Sequence, residues 1–124
     1  MNAPIIPSIN HCEIPQIIEA VARSGALAVG YTAVRLNGKI GSLFEGWLET
    51  YIPDRKEKVI NQIKELHGGK VNDSEFGKRM RGEGNIAEVI RQLHHVAKSK
   101  FLKNRKRPEW NLTAFRKGGS YTLF

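Results

Sequence analysis

The apolar positions change period twice within the first forty residues. Ala3-Pro4-Ile5-Ile6-Pro7 is short, apolar and bracketed by prolines, the form taken by the C-terminal end of an inner parallel strand. Ile14, Ile17, Ile18, Val21 and Ala22 then recur at helical spacing, with Pro15 suited to a first turn and Gly25 to a stop. Leu27 to Val34 is apolar almost throughout, which predicts a second strand buried on both faces. Strand, helix and strand within about 30 residues make a βαβ unit, parallel and right-handed by default.

Asn37-Gly38 reads as a turn, and beyond it Ile40, Leu43, Phe44, Trp47, Leu48 and Tyr51 mark one face of an amphipathic helix. Pro53-Asp54 breaks that helix. Val59, Ile60, Ile63 and Leu66 outline the next, which stops at Gly68-Gly69. The polar stretch GGKVNDSEFGKRMRGEG reads as a long ordered loop, with Phe76 and Met80 as its apolar anchors. Helical period returns at Ile86, Val89, Ile90, Leu93, Val96 and Ala97 and runs to about Phe101. LKNRKRPEWN is basic and broken by proline, Leu112 and Phe115 suggest one last turn, and RKGGSYTLF has the composition of a flexible tail. The divisions this predicts are a βαβ unit over 1–38, a helical extension over 39–102 that holds the loop 68–84, and a basic linker and tail over 103–124.

The chain has 124 residues, one domain's worth, and no apolar run approaches the ~20 residues of a membrane span. Cys12 is the single cysteine, so no intramolecular disulfide, self-contained iron–sulfur cluster or cysteine-rich zinc site can form. That fits a reducing cytoplasm. The formal charge of +8 favours polyanionic partners, nucleic acid before anionic membrane or acidic protein. Lys70, Lys78, Arg79 and Arg81 stand among glycines, where backbone amides and guanidinium forks suit phosphate, although no P-loop spacing is present. Arg105, Lys106 and Arg107 form a second basic run that suits a nucleic-acid backbone. Cys12 reads as an incidental helix-start thiol. His94-His95 lacks a carboxylate or thiol at ligand spacing, and the sequon at Asn111 lacks a secretory context.

The segments APIIPSINHCEIPQIIEAVARSGALAVGYTAVRLNG, LFEGWLETYIPDR and GGKVNDSEFGKRMRGEG, in this order, resemble the C-terminal half of a radical SAM protein of the DNA-repair-photolyase type, related to spore photoproduct lyase. The likeness runs from Ala3 to about Ile90, roughly three quarters of the chain. It implies an α/β fold: the C-terminal βαβ portion of a partial parallel barrel, followed by a mainly helical extension. Met1 would then fall inside the barrel, with the preceding strands on residues outside this polypeptide. In that family the N-terminal half carries a Cys-x3-Cys-x2-Cys loop whose thiolates hold a 4Fe–4S cluster, and the cluster binds S-adenosylmethionine. By resemblance Ile6, Pro7, Ser8, Ile9 and Asn10, with Tyr31 and Thr32 on the next strand, would contact that cofactor; family members often have glycine where Ser8 stands. The parent would cleave S-adenosylmethionine to a 5′-deoxyadenosyl radical that acts on a substrate such as nucleic acid.

Without the cluster ligands this chain is not expected to do that chemistry alone. Its expected partners are the missing N-terminal barrel half and DNA. The C-terminus SYTLF also resembles the Gln-Leu-x-Leu-Phe peptides that dock on the bacterial sliding clamp: Leu123 and Phe124 keep the pair, while Ser120 and Tyr121 depart from the pattern. Two alternatives stand beside the family reading, a stand-alone basic module for nucleic acid or the clamp, and a truncated product without function. An unpartnered Ile5-Ile6 strand further predicts an isolated chain that is oligomeric or marginally folded.

Overall fold

The computed structural model describes residues 1–106 and 108–113, and it is mixed α/β. β1 (Asn2–Ile5) and β2 (Tyr31–Ala33) form a two-stranded parallel sheet, joined through α1 (Ile14–Arg23). Three further helices follow: α2 (Ile40–Tyr51), α3 (Lys56–Leu66) and α4 (Gly84–Phe101). No helix among the described residues is long and apolar enough to cross a membrane. Asn2 pairs with Tyr31 and Ile5 with Ala33, so β1 carries one residue more than β2 between those pairs. The surplus falls at Ala3-Pro4. Proline has no N–H for a ladder, and an irregular stretch of strand is where it costs least.

The second strand is shorter than its apolar composition predicts. Leu27 is 46% exposed and Ala28 is also exposed, and the ladder begins only at Tyr31. An apolar run bounded by Gly25 and Gly30 satisfies a strand pattern whether or not a partner lies beside it.

Two apolar clusters hold the fold. In the first, Ile5 of β1 and Val29 meet Ile14, Ile18 and Ala22 of α1 and Ile90 and Ala97 of α4. In the second, Val34 and Leu36 meet Leu48 of α2 and Val59, Ile60 and Ile63 of α3. Because α4 packs on α1, the first cluster joins residues from both sides of position 38. Arg105 reinforces this cluster by donating to the carbonyl of Ala26 at 2.8 Å and to that of Ala22, tying the segment after α4 to the end of α1.

The long loop is ordered, and it lies along β2. Met80 accepts a hydrogen bond from Ala33 N–H at 2.8 Å, Val71 accepts from Leu36 at 3.0 Å, and Leu66 accepts from Glu83 at 3.0 Å. His67, buried, donates from Nε2 to the Val34 carbonyl at 2.7 Å. Phe76 does not anchor the loop: it is 89% exposed, and backbone bonds to Ala33, Leu36 and Leu66 hold the loop instead. On α2 the expected apolar face is mostly uncovered, and Ile40, Leu43, Trp47 and Tyr51 are exposed while Leu48 is fully buried.

Candidate functional site: the exit of β1 and a cationic cleft between β2 and α4

Pro7 to Asn10 form a tight turn beyond the C-terminal end of β1. Ser8 has φ 57°, in the left-handed region that glycine tolerates best. Asn10 staples the turn: Oδ1 accepts from Ile6 N–H at 2.7 Å and Nδ2 donates to the Pro4 carbonyl at 3.0 Å. Ser8 N–H donates to His11 Nδ1 at 3.0 Å, and Ser8 Oγ bonds Gln62 of α3 at 2.7 Å. Ile6 and Ile9 pack on the α2–α3 cluster. The N–H and side-chain groups of this segment are therefore engaged within the chain, and its isoleucines rest on the α2–α3 cluster.

Tyr31 and Thr32 do not join that turn. Tyr31 pairs with Asn2, about 10 Å along the strand from the exit at Ile5. Its ring packs on the α1–α4 cluster, and strand alternation gives Thr32 the opposite face of the sheet, where it is half-buried. Tyr31 thus lies at the start of the short strand β2, while Thr32 is one residue from Ala33, which pairs with Ile5 at the exit.

The second group of basic residues divides in a similar way. Lys78 is tied to Glu75 at 3.3 Å and to Glu83 at 3.2 Å, and the Arg79 guanidinium stands 5.6 Å from the centre of the Phe76 ring. Lys70 and Lys106 are exposed, and Arg105 serves the end of α1. Arg107, Leu123 and Phe124 lie outside the described residues.

Arg81 is the member of this set that enters the cleft between β2 and α4. A cleft of about 380 Å³ between β2 and α4 is lined by Tyr31, Arg81, Arg91, His94, His95 and Lys98. Four of these recur along α4 at i, i+3, i+4 and i+7, which stacks them on one side of the helix. Arg81 is brought over them by Gly82, which has φ 75° and lies so close to Leu66 that a Cβ would meet the Leu66 carbonyl oxygen at 3.0 Å. Arg91 donates from Nε to Glu88 at 2.7 Å and from Nη2 to the other carboxylate oxygen, which fixes the plane of its guanidinium. No Asp or Glu among the described residues lines the cleft itself.

The electrostatics follow from burial and these cations. Burial pushes the Tyr31 phenol above its ordinary value, opposed by Arg81 and Arg91. Burial lowers His94 below its ordinary value, and Lys98, Arg81 and His95 lower it further. His94 is 8% exposed and its Nε2 has no hydrogen-bond partner. Chemically this is a site for an anion. Of the site residues the sequence predicts, Arg81 and Tyr31 lie here, Tyr31 as an expected cofactor contact; His94-His95 is set aside there as a metal pair, and the spacing of Arg91, His94, His95 and Lys98 is also that of a solvated helix face.

Among the described residues no group of three or more His, Cys, Asp or Glu could hold a metal ion, and Cys12 is exposed. The donor set of this chain does not fit a 4Fe–4S cluster, and the turn at Pro7–Asn10 has its N–H and side-chain groups already engaged. No protein-family model, curated protein or solved structure matches the chain.

Proposed function

We propose that the chain is the C-terminal portion of a radical SAM protein of the DNA-repair-photolyase type, and that a cluster-bearing N-terminal half performs the reductive chemistry. The observation that carries this reading is the parallel β1–α1–β2 unit, with α1 and α4 packed on Ile5 and α2 and α3 packed on Ile6 and Val34. In a barrel of this kind, further parallel strands would pair beyond β1. The likeness of the GYTAVRLNG and FGKRMRGEG segments supports the same reading. Under it, this half contributes strands and a basic surface, and no step of the reaction is assigned to its residues.

The test has two arms. The reading frame upstream of this chain should encode a Cys-x3-Cys-x2-Cys half that co-purifies with it and restores S-adenosylmethionine cleavage. Anaerobic reconstitution of the isolated chain with iron and sulfide should give no cluster absorption. Stoichiometric cluster on the isolated chain, with cleavage, would overturn the proposal.

A further inference from the structure

We propose that the cleft between β2 and α4 is a binding site for a phosphate group, held by Arg81, Arg91 and Lys98 with His94 at its inner wall. This site is independent of the barrel reading, since it needs only β2, the loop and α4. Three permanently charged cations converge on one cavity, and no carboxylate among the described residues lines it. The adjoining cavity shares Tyr31, Arg81 and Arg91 with the cleft and carries Glu83 and Glu88; Glu88 pairs with Arg91 and Glu83 with Lys78, while Lys98 faces the cleft alone. Such a field raises the local concentration of anions and favours their entry.

The choice of phosphate rests on the donors. The Arg91 guanidinium is held in one plane by Glu88, and Arg81 offers a second fork; forks of this kind match phosphate oxygens in pairs. Lys98 adds a point charge. His94 supplies the second, separate observation: a side chain more than nine-tenths buried, lining the cleft, with Nε2 unpartnered. Nε2 is closed off from solvent in this conformation, so a ligand oxygen meets it only when the ring turns toward the cleft, and that contact removes the cost of an unpartnered buried group. The volume lies within the usual range for small-ligand sites, about 300–1,000 Å³.

The phosphate can belong to a polynucleotide backbone or to a small phosphate ester. The full chain is titrated separately with inorganic phosphate, a nucleoside 5′-monophosphate and a short single-stranded oligonucleotide. His94 ring resonances and calorimetry are the readouts. Arg81→Ala with Lys98→Ala should weaken binding about tenfold or more. Lys39→Ala with Lys64→Ala removes the same charge from exposed positions elsewhere and should change it by less than about twofold. Should the double variant fail to fold by circular dichroism, Arg81→Glu at its exposed position replaces it.

Selective loss for the oligonucleotide assigns the polynucleotide as source. Selective loss for phosphate and the monophosphate only assigns a small ester. Both outcomes support the site. Unmoved His94 resonances with all three probes, or equal weakening in the cleft and control variants, would overturn it.

Discussion

The imidazole of His94 and the ring of Tyr31 lie 4.7 Å apart between centroids, their planes tilted by 54°. This contact seats the histidine on the buried stripe of α4 that runs through Ile90 and Ala97, beneath three cations. Burial, then Lys98, Arg81 and His95, hold His94 below its ordinary value of 6.5. The folded chain therefore binds this proton less readily than the unfolded chain does. Its contribution to stability is complete above 6.5 and is lost as pH falls through and below that value. Urea unfolding from about pH 7 to about pH 5 should show a steeper loss for the natural chain than for His94→Gln. Parallel profiles, or a ring titration at or above 6.5, would contradict this.

Gly82 and Gly77 separate backbone conformation from packing. Both have positive φ, 75° and 94°, but a Cβ at Gly77 meets nothing within 4 Å, whereas one at Gly82 meets Leu66 Cδ2 at 2.8 Å and its carbonyl oxygen at 3.0 Å. Gly77→Ala should cost about 1–2 kcal/mol, the conformational cost alone. Gly82→Ala should cost more, by about 1–3 kcal/mol, because a backbone oxygen cannot rotate away. It should also weaken anion binding by displacing Arg81. Equal costs for the two substitutions would remove the close approach to Leu66 as a constraint.

Much of the helical framework was legible because burial repeats locally. Ile14, Ile18 and Ala22, and then Val59, Ile60, Ile63 and Leu66, are buried at the spacing the sequence shows. The limits of β2 were not legible, since Leu27 and Ala28 satisfy an apolar pattern yet have no strand to pair with among the described residues. On α2 the pattern was correct and the burial was not: periodicity orients a face but does not supply the surface that covers it. The cleft depended on still less local information. Arg81 is placed beside α4 by the bond of Met80 to Ala33 and the close approach of Gly82 to Leu66, long-range contacts that the neighbouring sequence does not encode.

Asn10 controls the exit of β1. Asn10→Ala removes both its bonds and leaves the part-buried Ile6 N–H without an acceptor, a loss of about 1–3 kcal/mol. Asn10→Asp keeps the acceptor for Ile6 and loses only the donor to the exposed Pro4 carbonyl, so its cost should be smaller. Denaturant midpoints of the two variants decide the matter. If aspartate is the worse substitution, the bond to Pro4 governs the turn instead.

Two surfaces of the isolated chain invite self-association, and they can be told apart. The outer edge of β1 is short, only four residues, and Pro4 has no N–H to offer a neighbouring strand. The face of α2 is broader: Leu43 is 71% exposed and Tyr51 69%, and Phe44, Trp47 and Tyr51 form a run of rings with successive centroids 5.7 Å apart. Contiguous exposed apolar surface of this kind is an association hazard, and hydrophobic burial scales with its area. Sedimentation velocity should therefore show concentration-dependent association of the isolated chain. Leu43→Lys with Tyr51→Lys should reduce it strongly, by placing two charges two helical turns apart on that face. Ala3→Lys, which charges the β1 edge, should have the smaller effect. The reverse ranking would make the open strand the dominant surface, and a clean monomer at every concentration would remove both.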